Sequence, residues 1–144
     1  MSAFAGILQA LQADATLTAI LTGGLYDGVA IQDITRQATP DAFDEWGEMK
    51  PCGILKPESQ APAGPHAHGA RLFVALWLYQ QHGGAEIDAA RERAYQVLHR
   101  SQLAGGGGLW DVRHAGDVLG AEVQGLDAPM VMSRYVATVN RSGG

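Results

Sequence analysis

His66 and His68 stand one residue apart, a spacing at which two imidazoles can face one metal ion. Zinc asks for four protein ligands, or three and a water. No third ligand lies at a useful spacing, and His82 and His99 fall in other predicted elements. The pair is therefore read as a candidate interface loop and not as a metal centre. Cys52 is the single cysteine and sits between Pro51 and Gly53, with no CxxC partner and no activating motif. A packed thiol is the default for such a residue. The run Gly105–Gly108 has no Lys-Ser or Lys-Thr after it and leads into a strand, so it reads as a hairpin-like tether rather than a phosphate loop. No Gly-x-Ser-x-Gly elbow occurs. Trp46, Trp77 and Trp110 could stack on bases only beside a basic groove, which a net charge of −5 does not offer. Core or subunit-interface packing is the better reading for them. No catalytic residue, no cofactor and no metal are expected.

The remaining chemistry is electrostatic. Thr39-Pro40-Asp41 reads as a helix start, with a threonine N-cap, proline at the first helical position and an acid in the first turn. Asp41, Asp44, Glu45 and Glu48 then fall at i, i+3, i+4 and i+7, which on a helix sets four carboxylates on one face. Phe43, Trp46 and Met49 form the apolar counter-face. The plain reading is a solvated face over a small satellite core. The sharper one is a surface that repels DNA or meets a basic partner.

The elements that must position these residues follow from hydrophobic spacing. Phe4, Ile7, Leu8 and Leu11 mark a first helix, and Asp14 or Thr16 caps a short second one that ends at Gly23-Gly24. A strand is expected between Leu25 and Ile34, interrupted at Asp27-Gly28, and another over Pro51–Lys56. Pro57 to Gly69, with three prolines, reads as a long mobile loop. Arg71–Tyr79 is apolar on both alternating faces and needs cover on both sides. Beyond Gly83-Gly84 a helix is expected over Ala85–Leu103, folding back on that strand. Trp110, Val112 and His114 alternate as on a half-exposed strand, Asp117–Asp127 is turn-rich, and Pro129–Val139 is a last strand.

Length and composition set the outer bounds. At 144 residues the chain is expected to be one domain, residues 1–144, with loops at 57–69 and 105–108. The N-terminus lacks the basic region of a signal peptide, and no apolar run approaches the ~20 residues of a membrane span. A soluble, unexported chain is expected.

The order of features is itself informative. Leu11-Gln12-Ala13-Asp14-Ala15-Thr16-Leu17-Thr18-Ala19-Ile20-Leu21 runs into Gly24-Leu25-Tyr26-Asp27-Gly28. A strand around Ile54, the strand Leu72–Tyr79, the helix Ile87–Leu98 and two closing strands follow. This resembles the tail terminator (tail completion) proteins of long-tailed bacteriophages and related gene transfer agents. The segment Ala30–Met49 departs from the resemblance in its length and its acids. The resemblance implies an α+β fold, a small mostly antiparallel sheet with helices packed on one face. It also implies a homo-oligomer, typically a hexameric ring, on the head-proximal end of the tail in the virion, assembled in the host cytoplasm. Its partners would be the tail tube protein and the head–tail connector protein, with DNA passing through the ring without specific binding and no membrane contact. On that reading Asp41, Asp44, Glu45 and Glu48 face the lumen or a neighbouring subunit. The alternatives are another head-closure or adaptor ring of the neck, a small α/β enzyme or metal-binding domain built on the histidines, and a plain oligomerisation module.

Overall fold

The computed structural model describes residues 3–62, 69–81, 84–105, 108–123 and 128–140. His66, His68 and His82 lie outside them. Two helices open the chain, α1 (Ala3–Ala13) and α2 (Ala15–Ile20). The apolar stripe of α1 buries Ile7, Leu8 and Leu11. Asp14 makes the break between the helices: in extended conformation, it accepts the Leu17 N–H at 2.9 Å as the N-cap of α2. Gly24, at φ +100°, then turns the chain into β1 (Leu25–Asp27).

Five strands and one helix build the rest: β2 (Cys52–Pro62), β3 (Gly69–Tyr79), α3 (Ala85–Leu98), β4 (Gln102–Gly105), β5 (Gly108–Val123) and β6 (Ala128–Asn140). They form one six-stranded sheet in the order β1-β2-β3-β6-β5-β4. Every pairing is antiparallel except β1 with β2. The fold is α+β, and the doubly apolar strand β3 sits inside the sheet, between β2 and β6.

The parity of β3 divides the core in two. Leu72, Val74, Leu76 and Leu78 face the helices, packing with Ile7, Leu11 and Leu17 and with Ile87, Ala90, Ala94 and Leu98 of α3. Trp77 and Tyr79, one residue out of step, pack on the opposite face with Cys52, Ile54, Ile34, Ala42 and Met49. Each fully buried aliphatic side chain contributes about 1.5–3 kcal/mol relative to exposure. The larger core therefore carries most of the stability. The second core exists because the segment between β1 and β2 folds over the sheet's other face.

Several boundaries differ from expectation, each for a local reason. β2 does not stop at Lys56; it continues through Pro57, and the missing N–H is tolerated where the pairing with β3 shifts register between Pro57 and Ser59. Of the expected loop over 57–69, residues 57–62 belong to β2 and Gly69 to β3, and residues 63–68 lie outside the described ones. α3 ends at Leu98 rather than Leu103, because Arg100 takes φ +64° and its N–H bonds the Val112 carbonyl at 2.7 Å. Leu103 belongs to β4 instead. At the glycine run, Gly105 closes β4 and pairs with Gly108, the first residue of β5, while residues 106 and 107 lie outside the described ones. Asp117 to Val123 continues β5 in place of the expected turns.

The largest correction concerns residues 39–49. Only Pro40–Ala42 is helical, as a single 3-10 turn. Thr39 does not cap it; its buried hydroxyl donates to the Thr35 carbonyl at 2.9 Å and accepts the Thr35 N–H at 3.0 Å. Phe43 is extended and forms an antiparallel bridge with Met49. Asp41, Asp44, Glu45 and Glu48 therefore do not share a helix face. The repulsion of like charges at helical spacing and the readiness of Asp44 to bond nearby backbone favour a closed loop over a helix.

Candidate functional site

The loop bridged by Phe43 and Met49 is held from inside. The Asp44 carboxylate accepts the N–H groups of Trp46 and Glu48, both at 2.9 Å. Gly47 takes φ +76°, where its missing Cβ avoids strain. The Arg36 guanidinium donates to the Gly47 carbonyl at 2.6 and 3.2 Å and lies 5.1 Å over the Phe43 ring. Ala42 and Met49 anchor the loop in the second core, and Trp46 stands out from it, 77% exposed. Asp41 and Glu45 are exposed, whereas Asp44 and Glu48 are half-buried. The four sequence-selected acids are thus neighbours on one loop, with Asp44 serving as its internal acceptor. From residue 27 to 48 the chain carries Asp27, Asp33, Asp41, Asp44, Glu45 and Glu48 against Arg36 alone.

Beside the loop is a cleft of about 240 Å³ lined by Asp33, Ile34, Thr35, Met49 and Tyr79. Burial, with the negative charge of Asp33 adding to it, pushes the Tyr79 phenol up to about 12. It stays neutral. Burial likewise pushes the Cys52 thiol up to about 12, so no nucleophilic thiolate forms there.

A polar cluster that sequence reading missed lies between α3 and β5. The Asp117 carboxylate bonds the His114 ring Nε2 at 2.7 Å, the Ser133 hydroxyl at 2.5 Å and the Arg91 guanidinium at 3.2 Å. Burial alone would raise its pKa. The hydrogen bonds from His114 and Ser133 and the charges of His114 and Arg91 outweigh that, and the carboxyl sits below its usual range. His99 accepts the His114 backbone N–H on Nδ1 at 3.0 Å and stacks on Tyr95, with ring centroids 4.7 Å apart. Burial, then the nearby charges of Arg100, Arg113 and His114, lowers its pKa, in keeping with that acceptor role. Serine, histidine and aspartate meet here, but the wrong way for nucleophilic catalysis. The serine donates to the aspartate, and the His114 ring bonds that same carboxylate instead of the serine oxygen it would have to deprotonate. The cluster is a clamp between helix and sheet. Residues 114 and 117 are three apart and would lie on opposite faces of a regular strand. A register shift between His114 and Gly116, with Gly116 at φ +141°, brings them to the same side. The only signal in the sequence was the pair Ala115-Gly116.

Among the described residues, the sheet face opposite the helices is covered at one end only. Cys52, Ile54, Trp77 and Tyr79 lie under the acidic segment. Toward the other end of β3 the same parity presents Arg71 and Phe73, with Val136 and Arg134 from β6 and Arg113 from β5 beside them in register. Glu58, Phe73, Ala115 and Arg134 line an open hollow of about 380 Å³ there.

Among the described residues there is no group of three or more His, Cys, Asp and Glu placed to hold a metal ion. Nor is any described helix long and apolar enough to cross a membrane.

No family model matches the chain, and no curated protein matches it. Its fold does match solved structures. One is a chain of the virion of a native gene transfer agent particle, with TM-score 0.73 and 20% identity, covering 96% of this chain and 94% of that one. A second solved chain matches at TM-score 0.56 and 13% identity, over 96% of both chains. The likeness is one of fold, and it spans nearly the whole of each partner.

Proposed function

We propose that this protein is a structural virion protein, the tail terminator of a phage-like particle. As a ring, typically of six copies, it sits on the head-proximal end of the finished tail tube. It stops tube polymerisation there and offers the docking surface for the head–tail connector. The observation that carries the reading is the end-to-end fold match to a chain of a gene transfer agent virion. The chemistry of the described residues agrees with it. The buried thiol is inert, the serine–histidine–aspartate cluster is a structural clamp, and six of the acids fall between residues 27 and 48. Asp41, Asp44, Glu45 and Glu48 face the lumen or the adjacent subunit in this assembly, and the 57–69 segment with His66 and His68 meets neighbours. A negative wall repels the phosphates of passing DNA instead of holding them.

The test is electron microscopy of particles made with and without the protein, and of the purified chain mixed with tail tubes. Loss of the protein should give tubes of uncontrolled length that fail to join heads, and added protein should appear as a cap on one tube end. Tubes of normal length without it, or a ring found at another level of the neck, would overturn the assignment.

A further inference from the structure

The acidic loop and the arginine-bearing sheet end are complementary, and they lie at opposite ends of one face. We infer that the loop of one copy docks on the open sheet end of the next: Trp46, with Asp41 and Glu45 beside it, seats in the hollow by Phe73 and meets Arg71, Arg113 and Arg134. This rests on the ring reading above and names the subunit contact within it.

Three observations carry the contact. The first is charge. The open end presents Arg71, Arg113 and Arg134, all exposed, in a chain whose net charge is −5. Two carboxylates share that face: Glu58, bonded to Arg134 at 2.9 Å, and Asp111, which holds the Gln102 amide at 3.1 Å. Three guanidiniums against two carboxylates leave it positive, whereas the loop side carries six acids against Arg36, Lys50 and Lys56, the last paired with Asp33 at 3.5 Å, and stays negative. Opposite fields of this kind steer association and fix its register.

The second is shape. Trp46 is a large apolar side chain, 77% exposed on a loop that Asp44, Gly47 and Arg36 brace from within. A braced aromatic loses little conformational freedom on docking, and buried tryptophan and arginine are the residues that anchor interfaces. The hollow lined by Glu58, Phe73, Ala115 and Arg134 offers about 380 Å³, an aromatic wall and a guanidinium to stack on.

The third is placement. Knob and hollow sit at the two ends of the face opposite the helices, one over Trp77 and Tyr79, the other around Phe73. A knob cannot reach the hollow of its own chain while it is seated over the second core. A contact between different patches is heterologous, so each copy still has a free knob and a free hollow, and the chain of contacts closes as a ring when the rotation permits.

The experiment uses the full chain. Its oligomeric state is measured by sedimentation at low and high salt, for wild type, Trp46→Ala, a loop reversal (Asp41→Lys with Glu45→Lys) and a face reversal (Arg71→Glu with Arg113→Glu). Asp44 is left intact because it shapes the loop. Wild type should form oligomers that weaken with salt. Trp46→Ala should raise the dissociation constant at least tenfold, and each reversal alone should give monomers with an unchanged circular dichroism spectrum. Mixed in equal amounts, the two reversals should recover oligomers, because each now complements the other. Separately, Trp46→Cys with Ala115→Cys should oxidise to a ladder of linked chains, while either single variant should give none beyond dimer. A monomeric wild type, reversals that assemble like wild type, a mixture that stays monomeric or an absent ladder would each overturn the contact. Tail microscopy separates the two proposals. Rings that need knob and hollow but never cap tubes sink the terminator assignment, and capping rings indifferent to both reversals sink this contact.

Discussion

Asp14 shows how much one residue can do at this size. It caps α2 through the Leu17 N–H, and its carboxylate takes two bonds from the Arg93 guanidinium of α3, at 2.9 and 2.7 Å. The Arg93 hydrogen bonds are the largest influence on its pKa, and with the cap they outweigh burial and hold it at about 2. Losing a cap costs about 1 kcal/mol, and a partly exposed pair adds about 0.5 kcal/mol. Asp14→Ala should therefore lose about 1.5 kcal/mol in urea melts, and Arg93→Ala, which keeps the cap, only about a third of that. Because the folded pKa is depressed, the contribution is present above the unfolded carboxylate range near ~4. It is lost as pH falls through about 2. The gap between wild type and Asp14→Ala should thus close on acidification; a gap unchanged at pH 2 would contradict the pairing. Asp117 makes a parallel case. Asp117→Asn removes the charge that Arg91 and His114 share, and should cost about 1–3 kcal/mol. Ser133→Ala, removing a single donor, should cost less.

At the scale of elements, the sequence was legible wherever hydrophobic period and capping agreed. The first two helices, the doubly apolar β3, the start of α3 and the closing strand all have one dominant pattern, and tertiary packing only confirms it. Reading failed where parity or backbone competition decided. The 39–49 segment carries every helix-start signal, yet Thr39 spends its hydroxyl on Thr35 and Asp44 spends its carboxylate on the loop. In the same way, the Asp117 cluster depends on a bulge that alters which residues share a face. β1 carries a more decisive constraint. Its parallel pairing with β2 is followed by Gly28, whose N–H bonds the Leu55 carbonyl at 2.8 Å. A Cβ at Gly28 would stand 2.5 Å from that same carbonyl oxygen. Backbone cannot rotate away as a side chain can, so Gly28→Ala should cost about 1–3 kcal/mol and loosen β1 together with the acidic segment. Gly84→Ala, where a Cβ meets nothing within 4 Å and only the glycine N-cap of α3 is changed, should cost less. Equal stability of the two variants would show that the close approach at Gly28 is relieved cheaply.

For the molecule as a whole, the two cores differ in size and in what holds them, and this sets where the chain opens first. β3 is hydrogen-bonded on both sides along its length, by β2 and β6, and its helix-facing leucines lie in the larger core. The segment over the opposite face buries Ile34, Ala42 and Met49 against Cys52 and Ile54, with Ile31 and Phe43 partly buried beside them, and it is tied down by bonds such as Lys50 N–H to Ala42 carbonyl and Gln81 N–H to Met49 carbonyl. Local openings are drawn from regions with few buried contacts. Native-state hydrogen exchange should then show the amides of Val74, Leu76 and Leu78 opening only with global unfolding, and those of Ala42 and Lys50 opening at lower free energy. Met49→Ala sharpens the test. Removing a buried methionine costs about 2–5 kcal/mol where the core is continuous, but a separable small core loses that energy only locally. The variant should speed exchange at Ala42 and Lys50 while leaving the β3 amides close to wild type. Equal acceleration at Leu76 and Ala42 would mean that both cores unfold as one unit, and that the Trp46 loop is as rigid as the sheet that carries it.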